Sequence, residues 1–201
     1  MEKKLVIEKY NLNNRQVNLI ENDLKKLKKN NQRFNLVGKS TLLNPWDRHI
    51  NDSLQLSQFI EKKGSSIIDF GTGAGLPGVV LSIFGYTNIL LIDSKIKKIN
   101  FIKEFAEENN IIIKTICTRV EKIKNQKFDF ITCRAFAPLT KTLNYSLEFS
   151  KRNTSLLFLK GRHAKDEILD AKKYFKFNHS LYESKSLGGG FVLKIDELRK
   201  I

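Results

Sequence analysis

Four glycines lie within eight residues directly after an apolar run, at Gly71, Gly73, Gly75 and Gly78. Glycine allows a sharp backbone turn and leaves no side chain between the backbone and a ligand. Pro77 suits the first turn of a helix, and the free N–H groups of a helix start attract polar or anionic groups of a ligand. The spacing therefore predicts a loop that leads from a strand into a helix and holds a nucleotide-like cofactor.

Two acidic residues flank this glycine loop (residues 71–78) in the sequence. Asp93 stands eighteen residues beyond Gly75, at the end of the next apolar run. A carboxylate at that position can accept hydrogen bonds from the two hydroxyls of a ribose. Asp69 precedes the first glycine by two residues. A dinucleotide site has little use for Asp69, because a carboxylate is repelled by a pyrophosphate.

Three interpretations of the glycine loop compete. A bare strand-to-helix turn needs one or two glycines rather than four. The run Gly73-x-Gly75-x-x-Gly78 satisfies the dinucleotide fingerprint, so an NAD-binding small-molecule oxidoreductase is an alternative. The run from Asp69 to Gly75 resembles the loop of class I methyltransferases, which bind S-adenosylmethionine. We favour S-adenosylmethionine, because the residues after the predicted sheet leave no room for the substrate domain of a dehydrogenase.

The residues around the loop alternate between short apolar runs and amphipathic stretches, the clearest predicted helix covering residues 97–108. Continuous apolar strands separated by helices are typical of a parallel sheet covered on both faces. Residues 175–182 and 191–195 are strand-like runs with no room for a helix between them, which predicts an antiparallel hairpin. We therefore expect an α/β fold with a doubly wound, Rossmann-like, mostly parallel sheet and a C-terminal edge hairpin. The predicted parallel strands lie at residues 66–70, 88–92, 111–113, 128–132 and 155–159.

Two amphipathic patterns precede any strand. Apolar residues recur at three- and four-residue steps from Val17 to Leu27 and predict a helix over residues 13–34. Pro45 is placed to open a second helix. We expect a helical cap at residues 1–62 and a cofactor-binding domain at residues 63–201. A chain of 201 residues excludes two large domains.

Charge and cysteine content indicate the kind of partner and the cellular compartment of the protein. The net charge is +15, which suits a polyanionic partner, but the excess of Lys, Asn and Ile is also typical of an AT-rich coding sequence. Cys117 and Cys133 lie in apolar runs without metal-ligand or disulfide spacing, which predicts core residues and a reducing compartment. No run approaches the roughly 20 apolar residues of a membrane span. We expect a cytoplasmic protein without a membrane association.

The residues after the fourth predicted strand narrow the choice of methyl acceptor. Methyltransferases that act on exocyclic amines usually carry an Asn/Asp-Pro-Pro-Tyr/Phe motif there, whereas this chain has Thr-Cys-Arg-Ala-Phe-Ala-Pro at residues 132–138. Cytosine-C5 methylation needs a cysteine nucleophile, and we interpret Cys133 as a small buried residue instead. Nitrogen 7 of guanine has an in-plane lone pair and suits a site with no evident general base.

Five short motifs are spread over almost the whole chain from about residue 12. They are Arg48-His49-Ile50-Asn51-Asp52-Ser53, the glycine loop with Leu76-Pro77-Gly78, Thr118-Arg119-Val120-Glu121, Arg134-Ala135-Phe136-Ala137 and Leu159-Lys160-Gly161. In this order they resemble the bacterial 16S ribosomal RNA guanine-N7 methyltransferase G family, also called the glucose-inhibited division protein B family. The combination of Arg-His-x-x-Asp-Ser with Gly-Leu-Pro-Gly is much more specific than the glycine loop alone.

The resemblance implies a class I methyltransferase fold and a role for individual residues. Arg134 would lie beside the cofactor and meet its methionine carboxylate or the incoming nucleotide. Val120 and Glu121 would border the adenine. The cofactor-binding residues implied by the loop and by the resemblance are Asp69, Gly71, Gly73, Gly75, Leu76, Asp93, Val120, Glu121 and Arg134.

The resemblance also implies an RNA-facing set. Arg48 and His49, with Arg134, would position the nucleotide at the methyl donor, with no general base expected. Lys160 and Arg162 follow the fifth predicted strand and would meet phosphates. The implied reaction is methylation of nitrogen 7 of a specific guanine, with no metal required.

The implied partner is 16S ribosomal RNA or the assembling small ribosomal subunit, and we expect a monomer. The chain departs from the family pattern in two places, with Gly188-Gly189-Gly190 where an Arg-His pair is common and Ala74 where proline is usual. A non-catalytic RNA-binding protein on the same fold is a further alternative. The intact glycines and Asp93 argue against it, because a site without activity has no physical need for them.

Overall fold

The computed structural model describes residues 3–201. Within that range a seven-stranded sheet has the order β3-β2-β1-β4-β5-β7-β6. β1 to β5 pair in parallel, and β7 is antiparallel to both β5 and β6. The predicted α/β class, with a mostly parallel sheet and an antiparallel edge hairpin, is confirmed. The strands are β1 (Ile67–Phe70), β2 (Ile89–Asp93), β3 (Lys114–Cys117), β4 (Phe128–Arg134), β5 (Ser150–Lys160), β6 (Phe175–Glu183) and β7 (Phe191–Lys200).

Helices cover both faces of the sheet, as expected for a doubly wound fold. One core cluster joins α2, α4 and α5 to one face, and a second joins α6 and α7 to the other. No helix of residues 3–201 is both long enough and apolar enough to cross a membrane. The helices are α1 (Lys3–Tyr10), α2 (Asn14–Phe34), α3 (Asp52–Leu54), α4 (Gly78–Phe84), α5 (Ile96–Glu108), α6 (Leu139–Phe149) and α7 (Ala164–Ala171).

α2 begins where the sequence pattern predicts. The Asn13 side chain accepts a hydrogen bond from the backbone of Gln16, and the Gln16 side chain accepts one from the backbone of Asn13. This reciprocal capping satisfies two N–H groups at the helix start. The helix ends before Asn35, which has a left-handed φ of +46° that asparagine tolerates better than most residues.

The helical cap packs into the same core as the glycine loop. Val6, Leu27 and Leu54 are buried in one cluster with Leu76 and Val79. The predicted boundary between residues 62 and 63 stays a prediction, and residues 1 and 2 of the predicted cap lie outside the described range. The cap therefore packs beside the glycine loop and can form one wall of a binding site there.

Two predicted elements differ in the structure. The strand predicted at residues 111–113 is wrong, because the Ile111 N–H closes the end of α5 on the Ala106 carbonyl and pairing begins only at Lys114. The residues after Pro45 form no single regular helix. They form the 46–59 segment, which consists of a π turn (Trp46–Asn51), α3 and a 3-10 turn (Gln55–Phe59). Local periodicity cannot distinguish these close variants of helical backbone.

The two cysteines differ in exposure. Cys133 on the central strand β4 is buried, as predicted, whereas Cys117 is exposed. The prediction that Cys117 is a core residue is wrong, because β3 is an edge strand and Cys117 is its last residue.

Candidate active site

The glycine loop connects β1 to α4 and depends on glycine at specific positions. Gly71, Gly73 and Gly75 have left-handed φ angles of +61°, +59° and +90°, which cost other residues about 1–2 kcal/mol each. A Cβ at Gly75 would also lie 2.3 Å from a methyl carbon of Val79. The loop therefore closes tightly onto α4 at the carboxyl ends of the parallel strands.

Asp69 holds the glycine loop from beneath. Its Oδ1 accepts a hydrogen bond from the Thr132 hydroxyl at 2.8 Å, and its Oδ2 accepts one from the Gly78 N–H at 3.2 Å. Burial raises the pKa of Asp69 to about 6, and these hydrogen bonds oppose the rise. The carboxyl is fully buried and its observed partners are the loop backbone and Thr132, and the predicted contact of Asp69 with the cofactor stays a prediction.

Asp93 lies at the carboxyl end of β2 against the same loop. Its Oδ2 accepts a hydrogen bond from the Gly73 N–H at 3.1 Å and lies 3.6 Å from the Lys98 Nζ, while its Oδ1 accepts one from the Lys95 N–H. The side chain borders a cleft of about 290 Å³. Each oxygen retains lone-pair capacity for a further donor, as a ribose hydroxyl requires.

The two residues predicted to border the adenine, Val120 and Glu121, also line this small cleft. Val120 is buried, and the exposed Glu121 carboxylate accepts a hydrogen bond from the Tyr145 hydroxyl at 2.7 Å. A backbone hydrogen bond and this Tyr145 contact lower the pKa of Glu121. Tyr145 and Phe136, with ring centroids 6.1 Å apart, were not predicted and add aromatic surface to the same wall. Aromatic faces of this kind can pack against a purine.

A larger cleft of about 960 Å³ opens beside the small one. Gly71, Lys98 and Phe136 border both clefts. A Cβ at Gly71 would lie 2.5 Å from the Phe136 ring, so the ring lies directly over the glycine loop. The large cleft brings together most of the predicted RNA-facing and loop residues, namely Arg48, His49, Gly71, Gly73, Leu76, Arg134, Lys160 and Arg162.

Arg134 extends from the end of β4 into the large cleft and is held by the 46–59 segment. Its Nη1 donates to the Arg48 carbonyl at 3.0 Å and to the Asp52 Oδ2 at 3.3 Å, and its Nη2 lies 3.2 Å from the His49 Nδ1. Burial lowers the pKa of Arg134, while Asp52 raises it. Three of the five guanidinium N–H donors are thus directed to the protein.

His49 is completely buried although it borders the large cleft. Burial, followed by the nearby Arg134 and Arg48, lowers its pKa to about 3. The imidazole is therefore neutral at physiological pH. A direct contact between His49 and RNA stays a prediction, and the structure shows its ring nitrogens in contact with Arg134 and Thr41 instead.

Arg48 and the glycines of the β6–β7 connection are in direct contact. A Cβ at Gly188 would lie 1.1 Å from the Arg48 Nη1, so only glycine leaves room for the guanidinium there. The Gly188-Gly189-Gly190 run is part of the hairpin loop (residues 184–190), as the sequence predicts for a hairpin turn. The same run also borders the large cleft.

The hairpin loop is bound to the 46–59 segment by polar side chains that sequence reasoning missed. The buried Asp47 carboxylate accepts hydrogen bonds from the Ser186 hydroxyl and the Leu187 N–H at 3.1 and 2.8 Å. Asn51 donates to the Lys185 carbonyl at 2.8 Å, and Gln55 accepts from the Lys185 N–H at 3.0 Å. Their spacing of four residues was the available signal, because it places them on one helical face.

Lys160 and Arg162, the two cations at and after the end of β5, differ in how freely they can bind a phosphate. The Lys160 Nζ donates to the Glu167 carboxylate at 2.6 Å, and its side chain is only 9% exposed. Arg162 is exposed at the rim of the large cleft. Arg162 can therefore reach a phosphate without losing a protein partner, whereas Lys160 must share its charge with Glu167.

The residues present fit the predicted cofactor. The small cleft offers a carboxylate for a ribose and an aromatic wall for a purine, and the large cleft offers Lys98 and Arg134 for a carboxylate. A Cβ at Gly73 would have no neighbour closer than 3.8 Å, so the loop backbone there stays accessible. Groups that suit the adenosine portion thus border the small cleft, groups that suit the methionine carboxylate border the large cleft, and Gly71 borders both.

Two solved methyltransferases have a similar fold. A SAM-dependent methyltransferase from Aquifex aeolicus matches with a TM-score of 0.60 and 18% identity over 78% of this chain and 95% of that chain. The ribosomal protein L11 methylase from Lactobacillus delbrueckii subsp. bulgaricus matches with a TM-score of 0.58 and 19% identity over 73% and 76%. The chain thus has the fold of the class I S-adenosylmethionine-dependent methyltransferases.

Sequence comparison identifies the family within this class. The family model for rRNA small subunit methyltransferase G (GidB) matches residues 16–189. The ribosomal RNA small subunit methyltransferase G of Rickettsia prowazekii is 41% identical over 87% of this chain and 91% of its own length, and that of Orientia tsutsugamushi is 38% identical over 92% and 93%. This chain belongs to the rRNA small subunit methyltransferase G family, which confirms the predicted family and displaces the oxidoreductase alternative.

Proposed function

We propose that this protein transfers the methyl group of S-adenosylmethionine to nitrogen 7 of a guanine in 16S ribosomal RNA. The observation that carries the proposal is the continuity of the two clefts at Gly71. The small cleft has the groups that bind a nucleoside, and the large cleft beside it is lined by cations. A donor held in the first and a nucleotide held in the second meet at the glycine loop.

Asp93 and the loop backbone fix the donor in this proposal. Asp93 accepts the ribose hydroxyls, and Val120, Glu121 and the aromatic wall border the adenine. Gly71, Gly73, Gly75 and Leu76 let the backbone approach the methionine portion, with Asp69 holding the loop. S-adenosylmethionine supplies an electrophilic methyl group on a sulfonium, and the contribution of the protein is to align the acceptor with it.

The acceptor side needs orientation rather than proton transfer. The in-plane lone pair of guanine nitrogen 7 attacks directly, so no base must remove a proton first. His49 is neutral and occupied on both nitrogens, and burial raises the pKa of the Cys133 thiol far above its usual range. Neither side chain offers a base or a thiolate nucleophile at neutral pH, which supports a ring-nitrogen acceptor over a pyrimidine carbon.

The RNA contacts come from the rim of the large cleft. Arg48 and Arg162 present guanidinium groups to phosphates, and Lys160 adds a shared charge beside Arg134. Access to nitrogen 7 requires a base splayed out of a helix or loop. We further propose that the substrate is naked 16S ribosomal RNA or the assembling small subunit, that the protein acts as a monomer, and that it does so in the cytoplasm.

The test is methylation of 16S ribosomal RNA that lacks the modification, with labelled S-adenosylmethionine and mapping of the labelled base. Naked RNA and small-subunit particles are compared as substrates. Label at nitrogen 7 of one guanine supports the proposal, whereas label in a pyrimidine, an exocyclic amine or protein contradicts it. RNA binding without any label transfer would favour the non-catalytic alternative.

A matched pair of variants tests the cofactor side. Asp93→Asn should weaken S-adenosylhomocysteine binding about 10- to 100-fold, because a hydrogen bond to a charged group is worth about 1.5–3 kcal/mol. Asp170→Asn changes an exposed aspartate in α7 that borders neither cleft. Equal affinities of the two variants in calorimetry would contradict the role of Asp93.

A further inference from the structure

The buried His49 ring links Arg134 to a turn of the helical cap. The Arg134 Nη2 lies 3.2 Å from the His49 Nδ1, and the His49 Nε2 lies 3.1 Å from the Thr41 Oγ1. The Thr41 hydroxyl in turn donates to the Gly38 carbonyl at 2.6 Å. The three side chains thus form a continuous line of hydrogen bonds from the backbone at Gly38 to the large cleft.

The direction of every hydrogen bond in this line follows from the chemistry of its ends. A guanidinium can only donate, so the His49 Nδ1 must accept and carries no proton. The neutral ring then has its proton on Nε2 and donates it to the Thr41 oxygen. The Thr41 hydroxyl donates its hydrogen to the Gly38 carbonyl, so the Thr41 oxygen can accept a hydrogen bond from His49. One tautomer of His49 satisfies all three contacts.

Protonation of His49 is incompatible with this arrangement. A proton on Nδ1 would face the N–H of Arg134, removing a hydrogen bond and placing two positive groups side by side. The environment opposes that state, because burial and the charges of Arg134 and Arg48 lower the pKa of His49 to about 3, against a smaller opposing effect of a hydrogen bond with the Arg48 backbone. Asp52 lies against the guanidinium at 3.3 Å, and the charges of Asp69 and Arg48 also act on Arg134. The ring is therefore an uncharged acceptor at physiological pH.

We propose that Thr41 and His49 are positioning residues that fix the guanidinium plane of Arg134 in the large cleft. His49 and Asp52 approach different terminal nitrogens of the guanidinium, His49 at Nη2 and Asp52 at Nη1. With both nitrogens held, the remaining N–H donors have a fixed direction. His49 then acts through Arg134 rather than on RNA, and Thr41 acts through His49. The inference deepens the proposed function and rests on it for the activity readout.

Two substitutions of His49 separate its two nitrogens. His49→Asn places an amide oxygen near the position of Nδ1 and keeps an acceptor for Arg134, whereas His49→Gln places its amide near Nε2 and removes that acceptor. Both variants lose a buried ring and should lose similar thermal stability. His49→Asn should retain about 10-fold more methylation activity than His49→Gln, since misplacement of a positioning group by about 1 Å costs up to about 100-fold.

Thr41→Val tests the far end of the line. Valine keeps the shape of threonine and removes the acceptor of the His49 N–H, so methylation should fall about 10-fold without a change in affinity for S-adenosylhomocysteine. Ser40→Ala removes an exposed neighbouring hydroxyl and is the control. Combining Thr41→Val with His49→Gln should cost no more than His49→Gln alone, because both break the same line.

A measurement that needs no substrate tests this inference independently of the proposed function. Nitrogen-15 NMR of the histidine rings in the full chain should show His49 as the neutral tautomer protonated on Nε2, unchanged from pH 8 to pH 5. The opposite tautomer, or titration within that range, would overturn the inference whatever the protein methylates. Equal activity of His49→Asn and His49→Gln would also overturn it. Failure of the wild type to methylate RNA, with the tautomer as expected, would refute the proposed function alone.

Discussion

Asp23 is a buried carboxylic acid with no hydrogen-bond partner in residues 3–201, and its replacement by asparagine should stabilise the protein at alkaline pH. The side chain is 1% exposed in the middle of α2, and neither of its oxygens has a partner among the described residues. Burial raises the pKa of Asp23 from 3.8 to about 7, and the charge of Lys26 only partly opposes this rise. Asp23→Asn keeps the size of the side chain and removes its ionisation.

The expected magnitude follows from the shift in pKa. A raised acid pKa means that the folded state holds the proton more tightly, so folding stability is lost as pH rises from about 4 to 7. Each pKa unit is worth about 1.4 kcal/mol, so the ionised Asp23 costs about 4 kcal/mol at pH 8. At pH 5 the folded state is still protonated and the cost is about 2 kcal/mol. Asp23→Asn should therefore gain about 2–3 kcal/mol relative to wild type between pH 5 and pH 8.

The assay is thermal unfolding of both proteins at pH 5, 6.5 and 8. For a chain of this length, 1 kcal/mol corresponds to about 2–4 °C, so the Tm difference should grow by about 5–10 °C across the series. Asp170→Asn is the control, because Asp170 is 66% exposed and pairs with Lys173 on the surface. A Tm difference for Asp23→Asn that stays constant with pH would refute the assignment of a raised pKa to Asp23.

Three further predictions concern the clefts and the charge. Gly188→Ala should fold normally but displace the Arg48 guanidinium. The KM for RNA should then rise as we also expect for Arg48→Ala, with no added effect in the double variant. Gly75→Ala should cost more than about 2 kcal/mol in denaturant unfolding, against about 1 kcal/mol for Gly73→Ala, because the Cβ at residue 75 also meets a side chain of α4. Removing the two lysines at 172–173 should leave RNA affinity and its salt dependence unchanged if the basic excess is coding bias; a clear fall would show that the distant charge takes part in binding.

The glycine loop and its partners could be predicted from sequence because the required interactions are local. Left-handed backbone at Gly71, Gly73 and Gly75 demands glycine, so the spacing in the sequence directly reflects the conformation. The position of Asp93 could also be predicted from the sequence, because the end of an apolar run marks the end of a buried strand. The capping of α2 by Asn13 likewise involves residues three positions apart.

The contacts that hold Arg134 and the hairpin loop in place could not be predicted, because they join residues more than 80 positions apart. Nothing near Arg134 in the sequence indicates that Asp52 and His49 hold its guanidinium. The hairpin loop reads as a flexible glycine turn, yet Asp47 binds it through Ser186. Sequence motifs indicate which residues belong to the site, whereas only the fold shows which of them form hydrogen bonds with one another.

The position of β7 in the sheet determines the order in which the cleft can be assembled. β7 lies between β5 and β6, although β6 precedes it in the sequence. Within the described residues β6 pairs with β7 alone, so the β6–β7 hairpin can form by itself but joins the sheet only when β7 docks on β5. Pairing of distant strands is slow relative to local helix formation. The wall formed by the hairpin loop is therefore completed late in folding, after the central strands and the glycine loop can already be in place.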